Sequence, residues 1–333
     1  MTETAPSSTQ VASGLTRKIV LSVLLAALVY AALTLYGDVR ELQGTARSFA
    51  PKALAIGFAL ATCNYAIRVA RWQYYLKRLG IHVPLGESSV IFLSAFVMSV
   101  TPGKVGEVFK SLLLYEARGT PITRTAPIVV AERLTDLLAL VLLIALGSLS
   151  FEHGVAVAAT SALGISGVLL LCTYKPLGHF TLDLVVRIPW FRKLGHKLRE
   201  AYDALLDMTR PVPLLVGTAL AFLAWGLECG SLYAIVHGFE GVRMSWDGAV
   251  FAYSVSTIAG AVAMMPGGLG VTEIGMTALL QTLGGPAMRP AVATASTILV
   301  RLATLWFAVV IGVVALGIYR AFYRPARRLA EPA

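Results

Sequence analysis

The sequence predicts an all-α polytopic membrane protein, with six spanning helices and two re-entrant helical hairpins arranged as inverted-topology repeats. Three observations predict it. The 333 residues are 57% hydrophobic and only 14% charged, with a mean hydropathy of +0.74, against about 45–50% apolar and about 25% charged in soluble domains. Basic residues cluster on alternate loops, and two apolar stretches are broken by matched Pro-Gly runs. So little charged side chain cannot coat a water-facing globule of this size, which excludes a soluble enzyme and a disordered chain. The formal charge of +10 follows the membrane sides, so no nucleic-acid partner is expected.

Residues 1–16, polar and rich in Ser and Thr, read as a disordered cytoplasmic tail. Arg17-Lys18 then precede an apolar run over 19–36, too long for a signal-peptide core and without a small-residue cleavage site, hence an uncleaved first helix. Further spans are expected at about 52–72, 126–149, 154–174, 212–237 and 290–318, each near the ~20 residues that cross the hydrocarbon core. Together 17–320 form one domain: a first repeat over about 50–150, a linker over 175–210 and a second repeat over about 211–318, followed by a basic tail at 321–333. The linker reads as an amphipathic surface helix, with Leu194, Leu198, Leu205 and Met208 at helical spacing among Lys193, Lys197 and Arg199.

Orientation follows from the basic residues. Arg68, Arg71, Lys77 and Arg78 fall together, as do Arg118 and Arg124, the basic residues of the linker, and Arg320, Arg324, Arg327 and Arg328. The opposite loops are mixed or acidic. The positive-inside rule places both termini in the cytoplasm and requires an even number of crossings. Two segments do not fit as spans. Ser88–Val100 runs into Thr101-Pro102-Gly103-Lys104 and continues as Val105–Tyr115; Ala249–Met265 runs into Pro266-Gly267-Gly268-Leu269-Gly270 and continues as Val271–Leu283. Proline removes a backbone donor and glycine favours unwinding, so both runs should interrupt a helix. Each is a hairpin returning to its own side, the alternative being a kinked helix. Irregular backbone at membrane depth is tolerated only where protein or a wet cavity surrounds it.

The halves align. Leu54, Gly57, Ala59, Leu60 and Ala61 match Leu214, Gly217, Ala219, Leu220 and Ala221 at a separation of 160. Pro102, Gly103 and Gly106 match Pro266, Gly267 and Gly270 at 164; Arg133, Leu134, Leu137 and Val141 match Arg301, Leu302, Leu305 and Val309 at 168. With the charge assignments, the two units run in opposite senses, and in inverted-repeat transporters the substrate site lies near the midplane where broken helices meet.

Four elements resemble a known family: Arg68-Val-Ala-Arg71-Trp72; Thr101-Pro102-Gly103-Lys104-Val105-Gly106-Glu107; Glu132-Arg133-Leu134-Thr135-Asp136; and Pro266-Gly267-Gly268-Leu269-Gly270-Val271-Thr272-Glu273. They resemble the flippase-like transmembrane region of lysylphosphatidylglycerol synthase (multiple peptide resistance factor) and its stand-alone relatives. The resemblance implies movement of lipids between leaflets of a bacterial inner membrane: phospholipid, aminoacyl-phospholipid, hopanoid or polyprenyl-linked lipid. With Ala333 as the last residue, no soluble synthase domain is expected.

Ionisable groups at membrane depth are costly unless paired or wet. Glu132, Arg133 and Asp136 lie roughly 12–18 Å beyond Arg124 along a helix, with Arg301 at the equivalent depth and Glu228 in the fifth crossing. Lys104, Glu107 and Glu273 sit at or just after the breaks. Candidate substrate contacts are therefore Lys104, Arg133, Arg301, Glu132, Asp136, Glu228, Arg68 and Arg71. The hairpin set is Pro102, Gly103, Gly106, Glu107, Pro266, Gly267, Gly268, Gly270 and Glu273. Arginine suits a headgroup phosphate through its forked donors and fixed charge. The same Glu–Arg pairs, Glu107 with Arg133 and Glu273 with Arg301, could instead only clamp hairpins to spans. Neither break contains a Ser or His nucleophile, so a membrane-embedded lipid-phosphate enzyme is the weaker alternative, beside an ion-coupled carrier of a small solute. No cofactor or metal is expected. Cys63, Cys172 and Cys229 lie in apolar stretches without ligand spacing and read as small core residues. Homo-oligomer formation is left open.

Overall fold

The computed structural model describes residues 47–100, 107–151 and 205–323, with scattered residues in 44–45, 156–180 and 202–203. The expected first helix, most of the 154–174 span and of the linker, the N-terminal tail, the C-terminal tail beyond residue 323, and Pro102, Gly103, Lys104 and Gly106 lie outside the described residues. The described chain is all-helical; its only sheet-like feature is a single bridge between Phe49 and Phe239.

The first unit holds α1 (Pro51–Arg78), α2 (Leu85–Ser94, continued by a 3₁₀ turn Ala95–Met98), α3 (Phe109–Arg118) and α4 (Ile122–Ser148). The second holds α5 (Pro211–Val236), α6 (Trp246–Val262), a 3₁₀ turn Pro266–Gly268, α7 (Val271–Leu283), and α8 (Pro290–Arg301), which passes through a π-helical turn Leu302–Trp306 into α9 (Phe307–Phe322). Each unit is thus a long helix, two short helices about a break, and another long helix. Proline opens α1, α5 and α8 in their first turn, where its missing donor costs nothing.

Among the described residues, three stretches are long and apolar enough to cross a membrane: Pro51–Arg78, Pro211–Val236 and Pro290–Phe322. The 27 residues of α4 reach about 40 Å, but Glu132, Arg133 and Asp136 interrupt their apolar run. At 17 and 13 residues, α6 and α7 are about 25 and 20 Å long and fall short of the ~30 Å hydrocarbon core.

The centre of the molecule is the α1–α5 pair. A methyl on Gly57 would meet Ser231 and Ile235, one on Gly217 would meet Tyr75, and one on Gly238 would meet Ala53. The start of α1 therefore lies against the end of α5 and the reverse, so the two run antiparallel with backbones in close approach. Gly57 and Gly217 are the positions matched at 160, and so are Tyr75 and Ile235: the same contact occurs twice. Across the units, Gly147 of α4 abuts Asp247 and Phe251 of α6, and Gly312 of α9 abuts Phe96 and Val97. Each unit's last long helix thus packs on the other's first short segment.

Two apolar cores follow. One gathers Leu140, Leu143, Trp225, Leu232, Ile235, Met276 and Val300; the other gathers Trp72, Leu76, Ile91, Leu114 and Ile128. Cys229 is buried as expected, whereas Cys63 is exposed on the outer face of α1, where a small thiol can face an apolar solvent without cost.

Candidate functional site

The second break is built by backbone conformations that exclude side chains. Gly267, Gly268 and Gly270 have φ of 60°, 71° and 88°, the left-handed region that glycine enters freely. Leu269, fully buried, pins the loop. One Glu273 oxygen accepts the Gly270 N–H at 2.7 Å, and the other accepts Arg301 Nε at 2.6 Å. Arg301 Nη2 also donates to the Gly267 carbonyl at 2.6 Å. One arginine thus joins the loop, the first turn of α7 and the end of α8.

The first break has the corresponding link. Arg133 Nη2 lies 3.0 Å from Glu107 and 2.7 Å from Asp136. Asp136 takes a further bond from Arg71 Nη1 at 2.7 Å and faces Arg68 at 3.6 Å. Both expected Glu–Arg pairs are formed. The second break also lies against the residues just before the first, for a methyl on Gly267 would lie 3.5 Å from Val100 Cα and 3.6 Å from the Ser99 carbonyl.

Arg68 and Glu228, matched positions at 160, face one another at 3.7 Å. Asn64 organises them: its amide donates to Glu228 at 2.8 Å and to the Ala224 carbonyl at 2.7 Å, while its oxygen accepts Arg68 Nε at 2.8 Å. Tyr253 donates its hydroxyl to the other Glu228 oxygen, and the Arg68 guanidinium lies 4.7 Å over the Trp225 ring, a cation–π distance.

These groups surround one cavity of about 350 Å³, whose wall carries Arg68, Arg133 and Arg301 with Glu107, Asp136 and Glu228. Three positive and three negative side chains balance on this wall, which is how charge persists at low dielectric. Of the expected substrate set, Arg68, Arg133, Asp136, Glu228 and Arg301 line the cavity; Glu132 and Arg71 do not. Glu132 and Asp136 are spaced i,i+4, but Glu132 binds Lys110 behind the wall, and Arg71 backs Asp136 from inside the protein.

Lys110 was not singled out from the sequence. It is almost fully buried, with its ammonium 4.7 Å from the Trp72 ring and 4.8 Å from that of Phe92. The usable signal was Lys110 following Trp72 and Phe92 in a chain otherwise sparing of charge. Arg118 likewise closes α2 onto α3 through Glu87, with Nε–Oε1 at 2.8 Å. Among the described residues no cluster of His, Cys, Asp and Glu could hold a metal ion.

The sequence model of the family described as "Lysylphosphatidylglycerol synthase TM region" matches residues 19–312. The chain is similar to the UPF0104 membrane protein PH1989 of Pyrococcus horikoshii, 24% identical over 288 residues, which cover 76% of this chain and 84% of that protein. It is also similar to UPF0104 membrane protein sequence of Methanothermobacter thermautotrophicus, with matches of 26% over 140 residues and 29% over 126. The first of these covers 40% of this chain and 41% of the relative, the second 38% and 36%. These relatives are archaeal, whereas the motif resemblance led to the expectation of a bacterial membrane.

Proposed function

The chain belongs to the lysylphosphatidylglycerol synthase transmembrane-region family, and from that membership we propose that it carries a polar-headed membrane lipid between leaflets. The observation that carries this proposal is the balanced set of arginines and carboxylates around one cavity lined by both units. A phosphate cannot cross hydrocarbon unaided, and arginine can hold it without a proton at stake. Arg133 is the group best placed to receive it: its side chain is 29% exposed, against 9% for Arg301. An arriving phosphate would displace Glu107, which is itself partly exposed, while Asp136 remains held by Arg71. The phosphate would take the place of Glu107 on Arg133, while Glu107 turns toward the solvent to which it is already partly exposed.

We read the topology as six crossings and two re-entrant hairpins with both termini cytoplasmic, the units being inverted repeats. The antiparallel α1–α5 pair, with its twice-used contact, supports this, as do the two short helices flanking each break. The lipid classes in view are phospholipid, aminoacyl-phospholipid, hopanoid and polyprenyl-linked lipid, and the role is transport without covalent chemistry. A second reading, a carrier of small solutes, draws on the cavity volume, which lies in the ~300–1,000 Å³ range of small-molecule sites.

The test is dithionite accessibility of labelled phospholipids in reconstituted vesicles. Wild-type protein should exchange lipid, and Arg133→Gln should slow exchange while eluting as a monodisperse species. Equal exchange by both across anionic and zwitterionic lipids would leave Arg133 a structural clamp. Solute uptake without lipid exchange would favour the second reading.

A further inference from the structure

The two units differ where their last helices meet the cavity. On one flank, α9 stays against the 3₁₀ turn at the end of α2: a methyl on Gly312 would lie 2.5 Å from the Val97 nitrogen. Aromatic rings fill this corner. Phe96 lies 5.0 Å from Tyr65, Tyr65 lies 5.9 Å from Phe307, and Phe307 lies 4.9 Å from Phe58, centroid to centroid. On the other flank the matching positions carry almost no side chain. The offset of 164 puts Gly260 where Phe96 stands, and the offset of 168 puts Ala139 where Phe307 stands. Tyr65 alone keeps an aromatic counterpart, Trp225.

Gly260 is packed against Thr272 and Gly268 and Ala139 is fully buried, while the close approach of α4 to α6, at Gly147 and Phe251, lies near the start of α6 and outside the cavity lining. Leu137 and Leu140 of α4 and Ile258, Ala261 and Val262 of α6 all line the cavity, so the space between the helices is continuous with it. Every residue from Ala261 to Met264 is exposed, Val262 at 77% and Met264 at 61%. Met264 adopts a φ of 54°, a left-handed backbone unusual for a side chain of its size, and there the chain turns from α6 toward the break. The cavity lining therefore combines charged groups with an apolar lip that reaches the protein surface. Its volume suits a headgroup and is too small for a pair of long tails.

We infer that the gap between α4 and α6 is a lateral portal, in which the hydrocarbon tail of a phosphate-headed lipid lies while its headgroup occupies the arginine-lined cavity. This inference rests on the lipid-carrying proposal above and fixes where the tail goes. The aromatic corner makes the matching gap between α2 and α9 the closed one. A tail leaving past Leu137, Leu140, Ile258, Ala261 and Val262 meets apolar side chains.

Photo-crosslinking on the full-length protein tests this, using phosphatidylglycerol with a diazirine in one acyl tail and the corresponding diacylglycerol lacking phosphate. The phosphatidylglycerol probe should label Leu137 or Leu140 in preference to the diacylglycerol, whereas Val313 and Val314, exposed on α9, should be labelled equally by both. In parallel, Ala261→Trp should slow lipid exchange about tenfold with its melting temperature unchanged, and the equally bulky Val313→Trp should not. Phosphate-dependent labelling at Leu137 or Leu140 in a protein that exchanges no lipid would uphold the portal as a lipid site and overturn transport. Exchange that survives Ala261→Trp, with labelling concentrated at Phe96 or Phe307, would overturn the portal and leave transport standing.

Discussion

Neutralising Glu273 should cost far more stability than neutralising Glu107, although both carboxylates stand just after a break and pair with the arginine of a following helix. The Glu273 side chain is fully buried and Arg301 only 9% exposed, against 19% and 29% for Glu107 and Arg133. In Glu273→Gln the Gly270 N–H keeps an oxygen acceptor, and Arg301 keeps the Gly267 carbonyl, but a buried guanidinium loses its counter-charge. Breaking a buried pair from one side costs about 3–5 kcal/mol, and the two surviving bonds set the expectation near the lower figure. In Glu107→Gln, Arg133 keeps Asp136 at 2.7 Å and has access to solvent, so the loss should be about 1 kcal/mol or less. At about 2–4 °C per kcal/mol, Glu273→Gln should lower the melting temperature by roughly 6–12 °C and Glu107→Gln by about 2–4 °C. Detergent-solubilised protein followed by tryptophan fluorescence, with elution as a check on aggregation, measures both. The double variant Arg301→Gln/Glu273→Gln should lose less than the sum of its singles, with a coupling of about 2–3 kcal/mol. Equal shifts for the two glutamates, or strict additivity at 273 and 301, would refute the burial argument.

Lys110→Met should destabilise by about 3–5 kcal/mol because Glu132 is left charged and buried, and adding Glu132→Met should restore most of it; a double variant no more stable than the single would count against this. A methyl at Gly217 would lie 2.1 Å from the Tyr75 hydroxyl, so Gly217→Ala should cost about 1–3 kcal/mol. Tyr75→Phe in the same chain should recover part of that loss in a melting experiment. Asn64→Ala removes the donor from Glu228, worth about 1.5–3 kcal/mol for a bond to a charged group; Asn64→Asp should be worse, since it sets a second carboxylate there, and a melting order of Asp above Ala would contradict the proposed contact.

Much of this arrangement was legible because the chain spends charge so sparingly. Arg133 and Arg301 stood out in apolar surroundings, and Pro266-Gly267-Gly268 announced a break since no helix continues through that run. Glu107 and Glu273, each just after its break, offered the two arginines a carboxylate, although at 166 apart they match at none of the offsets. What failed did so for geometric reasons. Four residues turn a helix by about 400°, so Glu132 and Asp136 are offset by about 40° and one turn in height. That is enough for Lys110 to take one carboxylate and the arginines the other. Lys110 itself resembled any charged residue after a break, and its burial depends on Trp72 and Phe92, brought in from other helices. The π-helical turn after Arg301 has no counterpart in α4, and nothing in Leu302–Trp306 sets it apart from α-helical sequence.

Positions 68 and 228 occupy the same place in their respective units, yet one is arginine and the other glutamate, and they face each other. Had both units kept arginine there, two guanidiniums would confront one another across α1 and α5; had both kept glutamate, two carboxylates would. Either outcome would set like charges a few ångströms apart in a low-dielectric interior, at a cost that no neighbouring Asn could offset. The contact is therefore satisfiable only between unlike halves. Two copies of the first unit, or two of the second, could reproduce the glycine approaches but not this pair, so covalent fusion fixes a stoichiometry that shape complementarity alone would leave ambiguous.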